Sequence, residues 1–236
     1  SGGGITDSGV LAITNGATFT VAGGQSITLD QSSTFSSTVT FTPSSGTIAA
    51  VTINDSNAFD IKALTLTGAL SVTAGGAITE SGDLSIAGIT TLEAGSGNNI
   101  TLDRTGNNFQ AAVQITSGDN VTLVDAGAID LGASTVSGTY VVTATSGGDI
   151  TDSGVLAITN GATFTVAGGQ SILLDQSSTF SSTVTFAAAS GNLKNVTITD
   201  TTALDLAALT LAKVAGAGGD LTVTAGGAVT DSGTLV

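Results

Sequence analysis

Cysteine, histidine, methionine and tryptophan are absent, and proline occurs once in 236 residues. Without cysteine there is no disulfide framework and no thiolate metal site. Without histidine there is no imidazole-bound zinc or haem, and no triad or acid–base pair built on His. Cations are nearly as scarce: 4 Lys and Arg stand against 18 Asp and Glu, a formal net charge of −14. Four cations cannot neutralise a phosphate track, which argues against nucleic acid as a partner. Charged residues of all kinds make up 9%, against roughly a quarter in an ordinary domain. Long apolar runs are missing as well. Mean hydropathy is +0.44, yet Thr, Ser, Asn, Asp or Gly interrupts each apolar stretch within a few positions. No spanning helix is encoded, and no membrane insertion is expected. The chain opens Ser1-Gly2-Gly3-Gly4 with neither an initiator Met nor a signal peptide, as a processed product or an excised segment would.

What is abundant is small and β-prone. There are 33 Gly and 41 Thr, and 41% of residues are hydrophobic, enough to build a core rather than a disordered coil. These residues recur. Ile5–Phe41 returns as Ile150–Phe186, an offset of 145, with 36 of 37 positions identical and Thr28 replaced by Leu173. Beyond that block Val51-Thr52-Ile53 aligns with Val196-Thr197-Ile198, and Leu64-Thr65-Leu66 with Leu209-Thr210-Leu211. About six extra residues enter near Ala212–Gly219, before Leu70–Gly76 matches Leu221–Gly227. A shorter period lies inside the long one: ITDSG at Ile5, ITESG at Ile78, ITDSG at Ile150 and VTDSG at Val229.

Steps from Ile5 to Ile27, Val51 and Ile78 measure 22, 24 and 27 residues, the size of one circuit of a β-solenoid with three short strands per coil. The expected fold is all-β: a single continuous right-handed parallel β-helix over residues 1–236, of about ten coils of 22–29 residues. Six coils fill a super-repeat running 5–149, with 150–236 a partial second copy and sub-repeats starting near 5, 78, 150 and 229. The absence of a hexapeptide pattern favours the right-handed form. Triplets such as Ile27-Thr28-Leu29, Ile100-Thr101-Leu102 and Val121-Thr122-Leu123 alternate at the strand period of two. That alternation places Thr28 and Leu173 outside, and the 22-residue spacing stacks Phe19 on Phe41 and Phe164 on Phe186. The Ala-rich stretch from Thr201 to Lys213 still steps by two through Leu204, Leu206, Leu209 and Leu211, so it reads as strand rather than helix.

Leu70–Ser134, beginning LSVTAGGAITESGDLSIAGITTLEAGSGNNITLDRTGNNF, resembles the repeat region of very large bacterial filamentous haemagglutinin-like exoproteins, whose shafts carry similar strings in tandem. The resemblance spans essentially the whole chain. It implies secretion to the bacterial cell surface, a right-handed β-helical shaft, and adhesion or matrix building. The N-terminal secretion domain of such proteins, with its own signature motifs, is not visible here.

The candidate sites each have a structural explanation. Asp7, Glu80, Asp152 and Asp231 recur with the ITDSG motif, but three coils of about 4.8 Å separate successive copies, too far for calcium to bridge. They read as turn residues capping strands. Gly147-Gly148-Asp149-Ile150 only grazes the calcium-binding nonapeptide. Asp55, Asp60, Asp200 and Asp205 could pair carboxyls across turns as glycosidases do. Yet Arg104 is the only Arg, beside Asp103, while Lys62, Lys194 and Lys213 are scattered. The glycine strings Gly2-Gly3-Gly4 and Ala215-Gly216-Ala217-Gly218-Gly219 lack the phosphate-loop form and read as tight turns or a bulge. Asn54, Asn99, Asn120 and Asn195 open N-x-[ST] triplets that chance would supply. No catalytic, metal-binding or cofactor-binding residue is therefore assigned, and no cofactor or enzymatic activity is expected.

The expectation is mechanical: a non-catalytic structural shaft of an extracellular or cell-surface adhesin or fibre. Its partners are further repeats of the same chain or other copies, meeting end to end or laterally, and beyond them a host or neighbouring-cell surface. The chain opens and closes at the same motif phase without polar caps, as a window of a longer array or a subunit stacking on copies would. The rivals are a self-assembling filament or sheath subunit and a carbohydrate-active or glycan-binding β-helix.

Overall fold

An alternating segment of three to five residues buries one face only if another segment lies against it, and its backbone bonds are made only if others lie above and below. Winding the chain into a coil and stacking the coils meets both needs. The computed structural model describes residues 2–211 and 218–236, all-β and without a helix among them. Every strand pairing is parallel, as stacked coils require.

Eleven strands follow one another in the first sheet, so the described chain makes about ten turns of a β-solenoid. They define coils 1 to 11, from Ile5–Thr6 in coil 1 to Asp220–Ala225 in coil 11. A second sheet of nine strands runs from Phe59–Ile61 in coil 3 to Val229–Asp231 in coil 11. Ala17–Ala22 and Val39–Ser45 pair with one another in coils 1 and 2, and are the repeat equivalents of Ala162–Val166 and Val184–Ala188 in the second sheet. Coils 3 to 5 close with a third short strand: Leu64–Leu66, Leu84–Ile86 and Asn108–Phe109. Elsewhere the extra segment precedes the second sheet instead. Ala12–Ile13 pairs with the far half of Ile27–Phe35, and Leu156–Ile158 lies between Ile129–Val136 and Ile172–Phe180.

The core is a continuous column of aliphatic side chains. Ile27, Ile78, Ile100, Val121, Ile150, Ile172 and Val196 are all fully buried. Thr28 and Leu173 are both half-exposed, so the one difference between the identical blocks sits on the outer face. Phe19 and Phe41 are in register with ring centroids 6.0 Å apart, and Phe164 and Phe186 repeat the pair at 5.9 Å. Leu204–Leu206 is a strand and Leu209 and Leu211 form single bridges, which upholds the strand reading as far as Leu211. The six-residue insertion and most of the Ala215–Gly219 string fall outside the described residues.

Coil length departs from the expected spacing. The residue above Val51 is Leu70, whereas Ile78 lies in the second sheet above Phe59. The ITDSG motif misleads because it opens strands of two different sheets: Ile5 and Ile150 in the first, Ile78 and Val229 in the second. Register in the first sheet runs Ile5, Ile27, Val51, Leu70, Thr90, Val113, Leu131, Asp152. It continues from Ile150 through Ile172 and Val196 to Leu221. Coils are thus 18 to 25 residues long, and seven rather than six span the 145-residue unit. The path from Ile5 arrives at Asp152 rather than Ile150, so the second copy returns two residues out of register.

The two outcomes expected of substitution follow from burial. Phe164→Ala removes a fully buried ring and costs about 3–5 kcal/mol. Leu173→Thr restores the residue of the first copy on an outer face and changes stability by no more than about 0.5 kcal/mol. Equilibrium denaturation of the two variants checks both.

Candidate functional site

Where a coil passes from one sheet to the next the backbone turns, and its N–H groups lose the regular ladder. Buried acceptors take them. The Ser33 hydroxyl accepts the Leu11 N–H at 3.0 Å, and the Ser178 hydroxyl accepts that of Leu156 at 2.9 Å, one block later. Directly above each serine in register stands a buried aspartate, Asp55 or Asp200. Asp55 Oδ1 accepts the N–H of Phe35 in the coil below at 3.2 Å and that of Asn57 at 3.0 Å. Asp200 Oδ1 accepts the N–H groups of Phe180 and Thr202 and the Thr202 hydroxyl. Asp125 does the same with Phe109 and Gly127, each at 2.6 Å. Asn107, fully buried, takes the Leu84 N–H at 2.9 Å. These side chains clamp one coil to the next where strand pairing cannot.

Three of the four ITDSG carboxylates, Asp7, Glu80 and Asp152, reach the opposite way, to the coil above. Asp7 accepts the Asp30 N–H, Asp152 those of Asp175 and Gln176, and Glu80 that of Arg104 together with the Asn107 amide. They cap the following coil's departure from the sheet rather than only their own turn. Burial pushes the Asp152 carboxyl up to about 6, against the pull of the N–H groups of Asp175 and Gln176. Burial raises Glu80 and Asp125 as well.

Of the acids considered as a pair, Asp55 and Asp200 are these buried clamps, while Asp60 and Asp205 lie on the outer face. Asp60 is bonded to Lys62 at 2.5 Å and to Ser81 and Thr79. Burial opposes ionisation of Asp60, but the Lys62 and hydroxyl bonds outweigh it and hold the carboxyl below its ordinary range. Asp205 is lowered by the Thr183 hydroxyl at 2.7 Å, and Thr230 adds a second bond. Arg104 pairs with Asp83 at 2.6 Å, exposed, rather than with its neighbour Asp103. A groove of about 450 Å³ between coils 2 and 3 is lined by Ser36–Val39, Asp55, Asn57 and Asp60 among others. Among the described residues no group of three or more acids could hold a metal ion.

The outer faces carry ladders of their own. In the second sheet Thr79, Thr101, Thr122, Val141, Thr163 and Thr185 stand one above another on successive coils. Asn99, Asn120 and Thr139 form a short amide ladder, with Asn120 donating to Asn99 Oδ1 at 3.1 Å and accepting the Thr139 N–H at 3.0 Å. With Asn54 donating to the Asp30 carbonyl and Asn195 accepting the Asp220 N–H, all four N-x-[ST] asparagines are engaged in coil-to-coil bonds. Sequence reasoning missed the buried clamps, whose only signal was a Ser or Asp where strand alternation calls for an apolar residue.

Asp125→Ala leaves two amides unbonded and costs about 3 kcal/mol. Asp60→Asn, on the surface, costs under about 1 kcal/mol. Denaturation midpoints separate the two. The raised Asp152 means that the folded chain binds this proton more tightly than the unfolded chain does. The resulting stability is complete below the ordinary value of 3.8 and fades as pH rises through about 6. The thermal midpoint is therefore higher near about pH 5 than near about pH 7.5, and Asp152→Asn narrows the difference.

The chain matches the model of a family described as repeats of unknown function (DUF5649) over residues 1–42, 48–116, 118–187 and 193–236. Each matched segment carries one copy of the ITDSG motif, at Ile5, Ile78, Ile150 and Val229. No curated protein and no solved structure matches. With nearly its whole length matched, the chain belongs to this family of repeats of unknown function.

Proposed function

We propose that the chain is a structural shaft: a non-catalytic segment of a secreted bacterial cell-surface adhesin or fibre of the filamentous haemagglutinin-like kind. The observation that carries this reading is the continuity of the stack. One core column and one first sheet run through all eleven coils, and the buried polar residues serve backbone groups at the corners. Residues with this duty hold a rod together and are not displayed to a substrate. The composition suits exposure outside the cell. Few Lys and Arg leave few sites for trypsin-like proteases, and the absence of Cys and Met removes the residues most easily oxidised. Scarce charge lets identical layers lie on one another without like-charge ladders, while −14 spread along the rod favours solubility.

Electron microscopy of the native surface tests the reading. The expected image is a thin continuous rod whose mass per length is one coil for every ~4.8 Å. Regular breaks or a helical subunit lattice would instead support a filament assembled from separate copies. Polysaccharide cleavage that is lost on Asp55→Asn or Asp200→Asn would replace the shaft with a carbohydrate-active β-helix.

A further inference from the structure

The same 37-residue block occurs twice and meets different neighbours. In its second occurrence it rests on coil 7. Ile150–Asp152 pairs with Ile129–Leu131, Leu156–Ile158 with Ser134–Val136, and Ala162–Val166 with Tyr140–Ala144. Four N–H groups reach down to that coil: Ser153 and Gly154 to the Leu131 carbonyl, Thr159 to that of Val136, and Asn160 to that of Gly138. Tyr140 supplies an aromatic ring 6.1 Å beneath Phe164.

In its first occurrence the same sequence forms coil 1. Ser8, Gly9, Thr14 and Asn15, the equivalents of those four donors, make no backbone bond among the described residues. Ile5, Ile13 and Phe19 are half-buried, whereas Ile150, Ile158 and Phe164 are buried. The glycines give a second sign. A Cβ on Gly148 would overlap the Ala128 amide of coil 7, and one on Gly154 would overlap that of Ala133, so both must be glycine. A Cβ on their equivalents Gly3 and Gly9 would meet nothing within 4 Å among the described residues. Coil 1 keeps glycine where only a closely approaching coil underneath would demand it.

We infer that the lower edge of coil 1 is an interaction surface whose occupant is a coil of the coil 7 kind, an Ile129–Val136 strand followed by a Tyr140–Ala144 strand. The inference deepens the shaft reading, on which it rests, by assigning a neighbour to an edge. It also distinguishes that neighbour from a second copy stacked end to end. In coil 11 the chain leaves Asp220–Ala225 through Gly226 and Gly227 straight into Val229–Asp231. It has no counterpart of Ser134–Val136, so Ala12–Ile13 would remain unpaired. The interior agrees. Leu70–Ala74, the repeat equivalent of Leu221–Ala225, is covered by Thr90–Glu93 and not by an ITDSG coil.

Two fusions to the full chain test this. In the first, residues 119–149 are joined directly to Ile5 in place of residues 1–4. In the second, residues 47–77, a segment of the same length that runs just past the coil 4 strand Leu70–Ala74, are joined there instead. Hydrogen exchange of the Ser8, Gly9, Thr14 and Asn15 amides is the readout. The first fusion is expected to slow their exchange on the order of 100-fold, and the second to leave it fast. Gly9→Ala should be silent in the present chain and should abolish the protection in the first fusion. Equal protection by both fusions, no protection by the first, or protection indifferent to Gly9→Ala would overturn the assignment. Those outcomes bear on edge complementarity alone. The shaft reading stands or falls on the rods seen at the native surface.

Discussion

The structure depends on the backbone hydrogen bond made from one coil to the next. Each strand is too short to be stable by itself, and its edges offer a full row of donors and acceptors. Only a layer above and a layer below can satisfy them. Once that is required, the chain must return to nearly the same place every circuit, and every position acquires a neighbour of its own kind. Column after column then becomes uniform: aliphatics inward, Thr outward, small polar residues at the corners.

The corners are where this arrangement is most exposed to failure. A strand ladder cannot follow the backbone around a bend, so N–H groups at Leu11, Phe35, Leu84, Phe109 and Leu156 would be buried without acceptors. Ser33, Asp55, Asn107, Asp125 and Ser178 supply them. An unpaired buried amide costs more than a typical bond gains, so these few polar residues contribute more to the rod's integrity than their number suggests. The glycines serve the same end from the other side. Gly148 and Gly154 let one coil come close enough to the coil beneath for the bonds to form. The carboxylates that bond these N–H groups thus belong to the coil-to-coil stacking of the solenoid.

The mismatch between chain repeat and coil repeat has a consequence for assembly. Seven coils take slightly more residues than the 145-residue unit supplies, so identical sequence meets its neighbours at a shifted position. A stack whose coils were interchangeable could join at any layer. Here the extra segment that precedes the second sheet in some coils, and the third strand that closes others, make the layers distinguishable. Order along the rod is then encoded in which edge accepts which coil.

The all-β class, the parallel stack of about ten turns, the outward placement of Thr28 and Leu173 and the Phe19–Phe41 and Phe164–Phe186 stacks were legible in the residues, because alternation at period two and repetition are local properties. Coil length was not, since ITDSG marks a turn that occurs in either of two sheets, and a motif cannot say which sheet it opens. The buried roles of Asp55, Asp125 and Asp200 left only a faint sign, an Asp at a position where alternation calls for an apolar residue. An aspartate after a strand looks like a surface turn until the coil below brings an N–H to it. By itself the sequence determined the architecture, through patterns each segment carries alone. Only the tertiary structure decided register, coil length and the duty of each carboxylate, because these depend on which distant segment lies one layer away.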